Sequence, residues 1–288
     1  MPFQHTPVLL KETIEFITPQ RGGTFVDCTL GGGGHAKAIS ELLTPNSKLI
    51  TLDQDQDAIE AAKKNLAQFT NIIYIQDNFR NLKKHIKEPI NGILFDLGVS
   101  SWQIDEASRG FSIQQDGPLD MRMDKRQKLD AESMINSFST EELTKIFFEF
   151  GEERFSRRIA KAIEKERANN PIKTTGQLKT IIEKATPGWK KRETLSRIFQ
   201  ALRIAVNQEL ESLRAALSDA IDLLAPGGRI VVLSYHSLED RIVKNTFKQA
   251  KQDGKLNILT KKPVTANEEE INLNSRARSA KLRAGEKL

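Results

Sequence analysis

The sequence predicts a doubly wound α/β sheet into which a helical domain is inserted. Three observations carry that expectation. Short apolar runs alternate with helix-like stretches through the first third of the chain. The first of those runs opens into four consecutive glycines, Gly31-Gly32-Gly33-Gly34. Strand signals then stop near Ser108 and return only past Arg203. Strands alternating with helices mean a parallel sheet, and a strand, a glycine turn and a helix N-terminus form its nucleotide-binding corner.

The elements follow in order. Thr24–Cys28 reads as the first strand, and the glycines after it let the backbone turn tightly and approach a ligand. His35–Leu43 reads as a helix, stopped by Thr44-Pro45-Asn46. Lys48–Asp53 is the second strand. Asp55 caps a helix through Ala67, with Ile59, Ala62 and Leu66 on one face. Ile72–Ile75 is the third strand and Asn91–Leu97 the fourth. A loop (Arg109–Asp130) leads into helices over Thr140–Phe150, Glu152–Asn169 and Thr175–Ala185. Val206–Leu224 sets Leu210, Leu213, Leu217, Ile221 and Leu224 at helical spacing, and Ala225-Pro226-Gly227-Gly228 stops it. Arg229–Ser234 is a further strand. The expected division is therefore 1–107 for the first part of the sheet domain, 108–203 for the helical insert, and 204–288 for the second part with a basic tail.

Composition narrows the function. The chain has 288 residues, with 44 Lys+Arg against 38 Asp+Glu, a net charge of +6 that suits a polyanionic partner. Cys28 is the single cysteine, which excludes an internal disulfide and fits a reducing cytoplasm. No apolar run approaches membrane-spanning length, and Met1-Pro2-Phe3-Gln4-His5 lacks a signal-peptide pattern. The four histidines are scattered and no cysteine pair joins them, so no metal site is expected.

In parallel sheets ligands bind at the carboxyl ends of the strands. Asp27, Asp53, Asp77 and Asp96 all fall at such ends. Two cofactors fit the corner. Gly31-x-Gly33-x-x-Ala36, with Asp53 standing 20 residues past Gly33, has the dinucleotide spacing of an NAD site. S-adenosylmethionine also has a ribose, but it carries an α-amino group and a sulfonium in place of a pyrophosphate. Asp27 suits that positive ligand better, which favours S-adenosylmethionine. Asp53 would then accept from the ribose hydroxyls. Phe79, in Asp77-Asn78-Phe79, offers an aromatic face to adenine. Asp96 opens Asp96-Leu97-Gly98-Val99-Ser100-Ser101, where enzymes that methylate exocyclic amines keep an acid or amide followed by prolines and an aromatic. An acceptor on the amine N–H helps its delocalised lone pair become nucleophilic. The prolines and aromatic are missing here, so Asp96 reads either as amine acceptor or as cofactor contact.

Longer motifs add to this. They are His5-Thr6-Pro7-Val8-Leu9-Leu10, Asp27 through His35, Asp96 through Ser101, Arg109-Gly110-Phe111-Ser112, Gly117 through Asp124, Gly151-Glu152-Glu153-Arg154, Ser234 through Arg241 and Arg276-Ala277-Arg278-Ser279. Together they resemble the MraW-type ribosomal small-subunit methyltransferase H family over nearly the whole chain. The resemblance implies a class I (Rossmann-like) methyltransferase sheet with an inserted all-helical, substrate-recognising domain. It implies cytoplasmic methylation of the exocyclic N4 of a cytidine in the decoding region of 16S ribosomal RNA. It also implies S-adenosylmethionine contacts at Gly33, Gly34, His35, Asp53, Phe79, Asp96 and Gln103, with Asp96 the catalytic candidate. Arg109–Asp124 is expected to order as a loop over the site. Tyr235 or His236 would stack on or bond a flipped base, or else mark a helix start capped by Ser237. The tail Leu273–Leu288, and Trp189 beside Lys190-Lys191-Arg192, read as candidate RNA contacts. A non-catalytic RNA-binding assembly factor and an NAD oxidoreductase are the alternative functions.

Overall fold

A computed structural model describes residues 7–288; Met1–Thr6, with His5 and Thr6 of the first motif, lie outside the described residues. The chain divides into two compact units, Met1–Gly98 with Leu210–Leu288, and Val99–Glu209. No helix among the described residues is long and apolar enough to cross a membrane.

The first unit is built on a seven-stranded sheet. Its strands are β1 (Thr24–Asp27), β2 (Lys48–Asp53), β3 (Ile72–Gln76), β4 (Ile90–Asp96), β5 (Leu224–Ser234), β6 (Leu256–Ile258) and β7 (Lys281–Lys287). They lie in the order β3-β2-β1-β4-β5-β7-β6. β1 to β5 are parallel, and β7 runs antiparallel between β5 and β6. The central strands are apolar along their length because helices cover both faces. Phe25, Val26, Leu49, Leu52, Ile93, Phe95 and Val232 are all buried. β1 and β4 lie close because Gly92 leaves room for Phe25; a Cβ there would stand 2.6 Å from the Phe25 ring. From β1 the chain proceeds outward to β2 and β3, then returns to β4 on the other side of β1. That reversal is the topological switch point, where a doubly wound sheet opens its ligand crevice. Asp27 and Asp96 end the two strands that flank it.

Three expectations need correction. The helix expected over Val206–Leu224 is two helices, Lys191–Asn207 and Glu209–Leu223, because Gln208 takes a left-handed conformation at φ 50°. The helix does stop before Ala225–Gly228, at Leu223, but the strand expected from Arg229 already begins at Leu224 and those four residues are a bulge inside β5: Leu224 pairs with Ile90, and regular pairing resumes at Arg229 opposite Gly92. The basic tail, too, is partly built into the sheet, through β7. Leu282 and Ala284 of β7 are buried. The Arg283 guanidinium lies 2.7 Å from Asp240, the Lys281 ammonium lies 3.3 Å from the same carboxylate, and Lys287 donates to the Ile221 carbonyl.

The second unit is helical. Ala131–Ser137, Thr140–Glu149, Ser156–Arg167, Thr175–Ala185 and Lys191–Asn207 enclose a core of their own that includes Leu143, Phe147, Ile159, Leu178, Ile198 and Leu202. Capping boxes at Ser139 with Glu142, and at Thr174 with Gln177, set two of the helix starts. The helix expected from Glu152 begins only at Ser156, since Glu152 is left-handed at φ 48° and the Glu153 carboxylate takes the Phe155 N–H. The loop Arg109–Asp124 is ordered around Arg109. This guanidinium is buried, donates to the carbonyls of Arg122 and Met123, and lies 5.1 Å over the Trp102 ring.

Candidate active site at the switch point

The glycine corner follows β1. Gly33 caps the helix Gly34–Leu42 at φ 83°, a left-handed conformation that L side chains adopt at a cost. Leu66 packs against its Cα, leaving 3.1 Å for a Cβ. The Gly31 N–H donates to Asp53 Oδ2 at 2.8 Å, and the Asp55 N–H donates to Oδ1 at 2.9 Å. Asp55 in turn caps the helix Gln56–Asn65 by accepting from the Asp57 N–H. Each Asp53 oxygen thus holds one N–H and keeps a second acceptor site. Burial pushes the Asp53 carboxyl up to about 6, against the pull of those two N–H groups.

Asp27 is fully buried. Its Oδ1 accepts from the Thr29 N–H at 3.0 Å and from the Thr29 hydroxyl at 3.5 Å, and its Oδ2 has no hydrogen-bond partner among the described residues. Burial raises this carboxyl to about 6 as well, with the Thr29 N–H and His35 holding it down and Asp96 pushing it up.

Asp96 is tied from three directions. Its backbone N–H donates to the Thr29 hydroxyl at 2.6 Å. The Tyr235 hydroxyl donates to Oδ1 at 2.7 Å. His35 Nδ1 lies 3.3 Å from Oδ2. The other ring nitrogen of His35 lies 3.1 Å from the Val8 carbonyl. A carbonyl only accepts, and so does an ionised carboxylate, so this environment asks both nitrogens to carry protons. Burial opposes the charged ring. Asp96 and then Asp27, with the Val8 carbonyl, still hold its pKa above the ordinary value. Asp27, Thr29, His35, Asp96 and Tyr235 therefore form one connected network.

The remaining site candidates are placed as follows. Phe79 begins the short turn Phe79–Asn81 after β3, is partly exposed, and packs edge-to-face on Phe95 at 5.7 Å. Asp77 serves that same turn: it accepts from the Asn78 N–H, the Asn81 amide and His85. Burial works against its charge, but those three partners hold the carboxyl below its usual range. Gln103 belongs to the helical unit, on the helix Ser101–Asp105. It is buried and closes a capping box, with Oε1 accepting from the Ser100 N–H and its own N–H donating to Ser100 Oγ. His236, not Ser237, caps the helix Ser237–Gln252, its Nδ1 accepting from the Glu239 N–H. Trp189 is 80% exposed on the helical unit with the Lys190 ammonium 5.1 Å over its ring.

Sequence reasoning missed Thr29, the Val8 carbonyl and the bond from Tyr235 to Asp96; it leaves Tyr235 or His236 open as a base contact or a helix start. Thr29 lies inside the glycine corner, and Ser234–Arg241 stood out as a strand end. Those were the signals present.

Comparison with known proteins places the chain. It matches the MraW methylase family over residues 2–288. A Ribosomal RNA small subunit methyltransferase H of Clostridium botulinum (strain Kyoto / Type A2) is 46% identical, with 100% of each chain covered. That of strain Okra / Type B1 is 47% identical over the same coverage. Among solved structures, a chain from Streptococcus mutans described as a methyltransferase, in complex with SAH, aligns with a TM-score of 0.50. It covers 99% of this chain and 100% of that one at 13% identity, a likeness that shows the fold alone. The sheet is that of a class I methyltransferase.

Proposed function

The chain belongs to the MraW methylase family, and on that premise we propose that it methylates the exocyclic N4 of a cytidine in the decoding region of 16S ribosomal RNA. The observation that carries this reading is Asp96, an acceptor clamped at the switch point beside a glycine corner. S-adenosylmethionine fits the residues there and, when bound, supplies an electrophilic sulfonium methyl.

Gly33 and Gly34 let the backbone approach that cofactor, with His35 behind them. Asp53, whose oxygens each keep an acceptor site, takes the ribose hydroxyls. Phe79 would offer its ring to adenine. The orphaned Oδ2 of buried Asp27 supplies negative charge toward the cationic end. Gln103 is the remaining cofactor contact that the resemblance implies. Asp96 accepts the N–H of the target amine, which would let the nitrogen lone pair leave conjugation with the ring and attack the methyl carbon as its bond to sulfur breaks in line, the thioether leaving neutral and the amine proton passing along its hydrogen bond to Asp96. The protein's share of the catalysis is this orientation and its electrostatics. The helical unit recognises the RNA or the small subunit, and exposed Trp189 with its neighbouring bases is one contact for it. The reaction belongs in the cytoplasm, and no metal enters it.

The test is to incubate purified small subunits with labelled S-adenosylmethionine and map the label. One labelled cytidine in the decoding region is expected. Binding without turnover would instead support an assembly factor, and affinity for NAD alone an oxidoreductase.

A further inference from the structure

We propose that Tyr235 is a positioning residue for Asp96, its hydroxyl acting with His35 to clamp both carboxylate oxygens so that their remaining acceptor sites meet the substrate amine. This rests on the function proposed above and assigns a residue that reading leaves unused.

The Tyr235 hydroxyl is already committed, 2.7 Å from Asp96 Oδ1. Its ring covers the turn after β4, where a Cβ on Gly98 would come within 3.5 Å of it. Its backbone N–H donates to Glu239 Oε2 at 2.8 Å, and the Glu239 side chain is only 3% exposed. Tyr235 is thus pinned at both ends, which suits a strut and not a platform for a flipped base. The three anchors on Asp96 come from three separate segments: Thr29 after β1, His35 on the helix behind the glycines, and Tyr235 after β5. Together they fix both the backbone and the carboxylate plane. An ionised carboxylate has about four acceptor sites and the clamp uses two, so the capacity to receive an amine N–H remains. Orienting an acceptor before the reaction lowers the barrier because that freedom is not lost at the transition state.

The charges acting on the hydroxyl are those of Asp96, Glu239 and Glu270. Burial first, and then Asp96, push its pKa well above that of an ordinary tyrosine, so it remains a donor throughout the neutral range.

Tyr235→Phe removes the hydroxyl and keeps the ring. In the folded variant, S-adenosylmethionine affinity by calorimetry and KM for small subunits should stay within about twofold of wild type. Single-turnover methylation should fall about tenfold, since the lost contact acts mostly in the transition state. A second readout needs no activity. The chain has two tyrosines, Tyr74 and Tyr235. In a Tyr74→Phe background, tyrosinate absorbance therefore reports on Tyr235 alone. Adding Asp96→Asn removes the facing charge and should bring that absorbance in at lower pH by about one unit or more, before circular dichroism shows unfolding. Wild-type protein that fails to methylate small subunits would defeat the proposed function and leave this titration to judge the clamp. An unchanged rate in Tyr235→Phe, a loss of rate matched by loss of cofactor affinity, or a Tyr235 titration indifferent to Asp96→Asn would each overturn it.

Discussion

Asp27 has no exposed surface, and one of its carboxylate oxygens has no hydrogen-bond partner among the described residues, so its charge is costly in the isolated chain. Its pKa rises from 3.8 to about 6, chiefly through burial. An acid whose folded pKa lies above its unfolded value holds its proton more tightly when folded. Stability therefore falls as pH rises from about 4 to about 6, and the deficit is complete above that window. Asp27→Asn should remove the deficit. In urea unfolding, the variant should match wild type near pH 4 and gain up to about 3 kcal/mol near pH 7, a ceiling because His35 loses an anionic neighbour. A difference that does not vary with pH would clear Asp27 of that role. Asp53 carries a different load. Its loss leaves the Gly31 and Asp55 N–H groups, and the ribose hydroxyls, without their acceptor. Asp53→Ala should weaken S-adenosylmethionine by roughly 1–3 kcal/mol in calorimetric titration, and unchanged affinity in a folded variant would remove it from the cofactor site. Asp53 and Asp96 were legible in the sequence because a strand pattern locates its own end. The bond from Tyr235 to Asp96 was not, because it joins residues 139 positions apart, across the whole helical unit.

At the scale of elements, what could be read followed apolar continuity. β1 to β4 each centre on a short apolar run, and their bounds matched expectation within a residue at each end. β7 escaped because Lys281, Arg283, Glu286 and Lys287 interrupt it, so charge hid the alternation of Leu282 and Ala284. Asp240 makes that strand possible. It lies on the helix Ser237–Gln252 and takes both Arg283 and Lys281, which hold its carboxyl below the usual range despite partial burial. The Arg283 side chain is 10% exposed, so removing its partner leaves a nearly buried charge uncompensated. Asp240→Ala should therefore cost about 2–4 kcal/mol in denaturant unfolding, somewhat below the range for a fully buried pair because Asp240 keeps some exposure. The double variant with Arg283→Met should recover part of that loss. A loss under about 1 kcal/mol would place the pair with ordinary surface ion pairs.

At the scale of the molecule, two clusters of buried apolar residues among the described residues share no member. Val8, Phe25, Ile39, Leu49, Leu94, Val231 and Leu282 belong to one, and Leu143, Phe147, Ile159, Leu178, Ile198 and Leu202 to the other. The lost strand signal set the expected insert at 108–203, while the helical unit runs Val99–Glu209. Val99 and Glu209 lie outside the stretch expected from pattern, because Ser100 starts a short capped helix and Gln208 breaks a long one. Removing Val99–Glu209 and bridging Gly98 to Leu210 with a short flexible linker takes away none of the buried residues that cluster with Val8, Phe25 and Leu94. The glycine corner, Asp27, Asp53 and the clamp on Asp96 all stay in the remaining chain. It should therefore fold cooperatively and still bind S-adenosylmethionine, measurably though more weakly, since Gln103 goes with the deleted segment. Methylation of small subunits should vanish, because the elements proposed to recognise the RNA are gone. Retained methylation would show that the helical unit does not select the substrate. A folded deletion with no cofactor affinity at all would shift weight from the glycine corner to Gln103 and its helix.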